Sequence, residues 1–89
     1  MLRIKKSHIA EQWILYDTKD FSHHTHCYEL KIAKIIRNNV TNKRMPKTTN
    51  KRLLVSHMRV NNDVAYMELI KNRLEELESN GKLQRGKIF

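Results

Sequence analysis

The apolar residues follow two different periods along the chain. Residues 12–17, Gln-Trp-Ile-Leu-Tyr-Asp, have the aromatic and β-branched character of a strand. Asp17-Thr-Lys-Asp20 has turn chemistry. Residues 21–27 are expected to return as a second strand, and Leu2 to Lys6 to add a short third one. From Tyr28 the period changes. Tyr28, Ile32, Ile35, Ile36 and Val40 recur at helical spacing, which predicts a first helix from about Tyr28 to Asn39 with that apolar face inward. Lys31, Lys34 and Arg37 fall elsewhere on the cylinder.

A polar, basic loop around Pro46 follows over residues 41–49. Thr49 or Asn50 is the expected N-cap of a short second helix ending near His57 or Met58, with Leu53, Leu54 and Met58 toward the core. Asn61-Asn62-Asp63 is a second cap signal. A third helix over about 63–79 is expected to bury Val64, Met67, Ile70, Leu74 and Leu77, with Glu68, Lys71 and Glu75 spaced for pairing on its surface. Leu69 lies off that stripe and is read as a contact with the N-terminal strand or as a self-association face. Asn80-Gly81 is a helix stop. Leu83, Ile88 and Phe89 then predict one or two short strands with a bend at Gly86.

Charge placement changes this picture most. The 89 residues carry a net charge of +9. Acids and bases balance over residues 1–29 and again over 63–89. The excess lies in residues 30–62, which hold Lys31, Lys34, Arg37, Lys43, Arg44, Lys47, Lys51, Arg52 and Arg59 and no Asp or Glu. Such a segment repels itself unless an anion lies beside it. Asn38, Asn39, Thr41, Asn42, Thr48, Thr49 and Asn50 share the segment, and short polar side chains donate to phosphate oxygens and read base edges. A solvated basic loop without a partner is the bland alternative.

The helical part resembles a winged helix, and within that class the globular domain of linker histones. Tyr28, Ile32, Ile36 and Arg37 stand at that family's first-helix spacing. Thr49, Lys51, Arg52 and Leu54 resemble its second helix, Ser56-His57-Met58-Arg59-Val60 its helix exit, and Leu74, Leu77, Gly81 and Leu83 the start of its wing. The resemblance spans residues 28–86. Glu75, Glu76 and Glu78 depart from the family, and residues 1–27 have no counterpart in it. The resemblance implies duplex DNA binding by the second and third helices and the wing. It carries that role to Lys51, Arg52, Arg59, Arg73, Lys82 and Arg85.

The expected fold class is therefore α+β and mainly helical. An N-terminal strand or β-hairpin over 1–27 precedes three helices and a short basic wing over 28–89, in one domain. The alternative is a three-helix bundle capped by a β-hairpin.

Ser22-His23-His24-Thr25-His26-Cys27 has the flavour of a metal site. In a strand, His24 and His26 share one face while His23, Thr25 and Cys27 take the other. The histidines and cysteine of one strand cannot all reach one tetrahedral zinc ion, and only His8 and His57 remain as remote ligands. The favoured reading is a turn or strand of partly exposed histidines with Cys27 in the core, and no metal or cofactor is expected. A nucleotide- or RNA-contacting patch is a further reading, since imidazoles gain positive charge in mild acid. Trp13, Tyr16, Tyr28 and Tyr66 coincide with apolar faces and are read as core. With two glycines, no Gly-rich phosphate loop can form, and no nucleophile, base and oxyanion hole come together in the sequence. A binding protein is expected, not an enzyme.

The candidate nucleic-acid contacts are Lys43, Arg44, Lys47, Lys51, Arg52, Arg59, Lys82 and Arg85, with DNA favoured over RNA. The alternative is a small phage-like regulator that uses its basic face on an acidic or nucleic-acid-binding host protein. No window reaches the roughly 20 apolar residues of a membrane span. No signal peptide is visible, so a cytoplasmic or nuclear location is expected.

Overall fold

The computed structural model describes residues 1–85. The bend expected at Gly86 and the strand positions Ile88 and Phe89 lie outside the described residues. Three strands, β1 (Leu2–Lys6), β2 (Trp13–Asp17) and β3 (His24–Cys27), form one antiparallel sheet in the order β1-β2-β3. The helices α1 (Leu30–Thr41), α2 (Lys51–Arg59) and α3 (Val64–Ser79) follow. The fold is thus α+β, an N-terminal antiparallel sheet with three helices.

Register fixes which side chains face the helices. Ile4 opposes Leu15, and Leu15 opposes Thr25, so these positions share the inner face. Leu15 and Cys27 pack with Ala33, Ile36 and Val60 in the core between sheet and α1. Leu54, Tyr66, Ile70 and Leu77 form a second core between α2 and α3, and Val40 lies against both. Each fully buried Leu or Ile contributes roughly 1.5–3 kcal/mol.

The helix ends follow from local chemistry. The Asn50 side chain accepts from the backbone N–H groups of Arg52 and Leu53, capping α2. Asp63 Oδ1 accepts from the Tyr66 N–H and caps α3. Gly81, at φ +69°, stops α3 in the left-handed region open to glycine. There the Gly81 N–H donates to the Glu78 carbonyl and the Lys82 N–H to the Leu77 carbonyl, the pattern of a Schellman cap.

Three expectations need correction. Tyr28 lies before α1 and is 53% exposed, and Ile35 is 46% exposed. The buried side of α1 is centred on Ala33, Ile36 and Val40. Ala33 adds little to a hydrophobic pattern, yet its small side chain is fully buried against the sheet. On α3, Val64 is 77% exposed, and Tyr66 takes its place because the Tyr66 hydroxyl reaches the Arg44 carbonyl at 2.8 Å. His57, near the expected end of α2 and not counted with the inward Leu53, Leu54 and Met58, is fully buried. Leu69 is exposed. After α3, Gln84 forms a parallel bridge with Asn50, and Leu83 packs on the second core. Among the described residues, no helix is long and apolar enough to cross a membrane.

Candidate nucleic-acid interface

Helix α2 presents its two sides differently. Leu54 and His57 point inward, while Arg52, Ser56 and Arg59 recur at i, i+4 and i+7 and share the outer side. The Thr25 hydroxyl on β3 donates to Ser56 Oγ at 3.1 Å, and Ser56 Oγ donates to the Arg52 carbonyl at 2.9 Å. These bonds hold β3 against α2. Between the two elements lies a groove of about 290 Å³ lined by Thr25, His26, Arg52, Val55, Ser56 and Arg59. No carboxylate lines it, and among the described residues neither Arg52 nor Arg59 has an ion-pair partner. Both are exposed. Arg59 also borders a second groove, of about 470 Å³, with His23, His24, Asn61 and Asn62.

The other expected contacts are dispersed. Arg44 and Lys47 rim a separate groove of about 360 Å³ whose floor includes Ile35, Ile36, Pro46 and Leu53. The Tyr66 hydroxyl fixes that loop through the Arg44 carbonyl, and burial raises the Tyr66 hydroxyl to about 12. Lys43, in the left-handed region at φ 53°, pairs with Asp63 at 3.0 Å. The Lys43 ammonium and the Tyr66 N–H hold the Asp63 carboxyl below its usual range. Lys51 is exposed at the start of α2, where its N–H donates to the Gln84 carbonyl at 2.8 Å. Lys82 is exposed beyond α3, and Arg85 pairs with Glu78 at 2.8 Å. Arg73, named by the resemblance, pairs with Glu76 at 2.9 Å. Lys31 and Lys34 line a shallow surface of α1 with Ile35. The structure thus joins Arg52 with Arg59, and Arg44 with Lys47, and draws Lys43 and Arg85 toward acids.

The outer side of α3 is acidic. Glu68, Glu75, Glu76 and Glu78 are all exposed there. Helix α2 carries no Asp or Glu.

The position of α2 depends on a buried network. His57 Nδ1 donates to the Leu53 carbonyl at 2.6 Å, and Nε2 accepts from Asn39 Nδ2 at 3.2 Å. This pattern belongs to the neutral ring, and burial pushes the His57 pKa down. Asn61 Nδ2 donates to the His57 carbonyl, and Asn61 Oδ1 accepts from the Asp63 N–H, so one buried amide joins α2 to the α3 cap.

Cys27 is a buried free thiol in the core beneath the sheet. Burial pushes the Cys27 thiol up to about 11, which leaves it protonated and inert at neutral pH. Among the described residues, no group of three His, Cys, Asp or Glu is placed to hold a metal ion.

His26, Thr25 and Ser56 complete the α2 groove, and sequence reasoning had not singled out Thr25 or Ser56. The alternation of residues 24–27 placed His26 on a strand face but not beside α2. The chain matches no protein-family model, no curated protein and no solved structure.

Proposed function

We propose that this chain binds nucleic acid, duplex DNA foremost, by seating a phosphate backbone in the groove between β3 and α2. One observation carries the reading. Arg52 and Arg59 line a single groove with the Thr25 and Ser56 hydroxyls and His26, and no acid lines it. Guanidinium groups bind phosphate bidentately and stay charged throughout the physiological range. The Thr25 and Ser56 hydroxyls give their hydrogens to Ser56 Oγ and to the Arg52 carbonyl, so they fix the groove wall and leave the phosphate contacts to the arginines.

In this reading α2, and not α3, faces the duplex. The winged-helix resemblance gives both helices a role, and the acids of α3 set the preference. Arg44, Lys47 and Lys51 add attraction at longer range. The Asn50–Gln84 bridge ties the start of α2 to the segment after α3. No chemistry beyond binding is assigned, and the work is placed in the cytoplasm, or in the nucleus of a source that has one.

The test is equilibrium titration of the full chain with a labelled duplex, beside the double variant Arg52→Glu, Arg59→Glu. Both side chains are exposed, so the variant should keep its circular dichroism. The expected loss of affinity is on the order of a hundredfold, since two charge-assisted contacts become repulsive. Unchanged affinity in a folded variant rejects the groove as the duplex site.

A further inference from the structure

The register of the sheet places a second set of residues on the face turned away from the helices. Arg3 opposes Tyr16, and Tyr16 opposes His24, in one row. Lys5 opposes Ile14, and Ile14 opposes His26, in the next. Adjacent strands lie about 4.8 Å apart, so the two rows make a small continuous platform. Cations occupy one edge, an aromatic ring and an isoleucine the centre, and imidazoles the other edge. Arg3, Lys5, His24 and His26 are exposed, so no helix covers this face. No acid takes an outward position on any of the three strands.

The loop from β2 to β3 adds a further ring. Phe21 stacks on Tyr16 with centroids 5.1 Å apart and planes 17° apart. The Lys5 ammonium lies 5.2 Å from the Tyr16 centroid and 5.7 Å from that of Phe21. Phe21 is nonetheless 62% exposed. Its loop is firmly held. The Asp17 N–H donates to the His23 carbonyl at 3.0 Å, and the Ser22 N–H and hydroxyl both donate to Asp20 Oδ1. The His24 ring donates through Nδ1 to the Phe21 carbonyl at 2.8 Å. These bonds hold the ring in water, at the cost of exposing apolar surface. A preorganised aromatic ring of this kind loses little freedom when a planar ligand stacks on it.

We infer that the outer face of the sheet is a binding site for single-stranded DNA, in which a base stacks on Phe21 beside Tyr16 while Arg3 and Lys5 take the flanking phosphates. A planar ring with cations beside it fits an unpaired base and its backbone. A duplex keeps its bases stacked inside and offers Phe21 nothing to cover. His26 belongs to both this face and the α2 groove, so the two surfaces meet at β3. The inference stands apart from the duplex reading, and its base-stacking and phosphate-contacting residues, Phe21, Tyr16, Arg3 and Lys5, lie outside the α2 groove.

Fluorescence anisotropy with a labelled oligothymidylate of roughly 15 nucleotides, within the span of a small single-strand site, tests it. The full chain is compared with Phe21→Ala, Phe21→Trp and Lys5→Glu. Expected is saturable binding that weakens about tenfold in Phe21→Ala and is retained in Phe21→Trp, with the tryptophan emission quenched on binding. Lys5→Glu weakens it as well. Duplex affinity stays unchanged in Phe21→Ala, whereas Arg52→Glu with Arg59→Glu acts mainly on the duplex. The inference is overturned by absence of single-strand binding, by full affinity in a folded Phe21→Ala, by equal loss of single-strand and duplex affinity in that variant, or by tighter binding of the matching RNA.

Discussion

Helices α2 and α3 pack against each other through one core and turn opposite charge to solvent. Lys51, Arg52 and Arg59 are exposed on α2, which carries no acid, whereas α3 exposes Glu68, Glu75, Glu76 and Glu78. Both helices start at well-formed caps. The difference shows that helix order alone does not set which helix carries the basic surface. The acids lie on the longer α3, and the shorter α2 holds two arginines without an ion-pair partner among the described residues.

The largest expected effect is the α2 reversal, Arg52→Glu with Arg59→Glu, and it would break the comparison if duplex affinity survived it.

A smaller effect follows from His57. Helix α2 has a buried imidazole, and α3 buries Tyr66, Ile70 and Leu77 instead. His57 is held neutral with its pKa lowered, so the folded chain resists a proton that the unfolded chain accepts. Stability is therefore full above the free imidazole value of 6.5 and is lost as pH falls from there toward the folded pKa. Thermal midpoints measured from pH 7 to pH 5 should decline, and in His57→Asn the decline should flatten, even if that variant starts lower. A wild-type midpoint that stays flat through this window would mean that His57 is not held neutral under α2.

The smallest effect is expected on α3. Glu75→Lys with Glu78→Lys should change duplex affinity by less than about threefold, because neither glutamate lines the groove between β3 and α2. A gain of a hundredfold would move the interface to α3.

Much of this architecture was legible in residue types. The caps at Asn50 and Asp63, the stop at Asn80-Gly81 and the three short strands depend on local chemistry, and local chemistry is written in the chain. The rotation of α1 was not, because it turns on Ala33, a residue whose importance comes from the sheet beneath it. His57 misled for a similar reason. Its burial needs the Leu53 carbonyl on one side and Asn39, from another helix, on the other.

The candidate site was legible in part. The acid-free stretch pointed to cations, but sequence distance does not say which of them share a surface. Arg52 and Arg59 meet because seven residues make about two helical turns. Lys43 is near them in sequence, yet it is drawn to Asp63 by the backbone turn that follows α1. The outer sheet face depends on register, which pairs Arg3 with Tyr16 and Tyr16 with His24 only once the strands are aligned.

The central claim is that Arg52 and Arg59 displace counterions from a duplex, and the most direct measurement is duplex affinity over a salt series for the wild type and the α2 double variant. With about six phosphates neutralised, the log–log slope of the wild type should be roughly −5. Loss of two of those contacts should make the slope shallower by about 2 in the variant. Equal slopes for the two proteins, or a wild-type affinity indifferent to salt, would contradict the account.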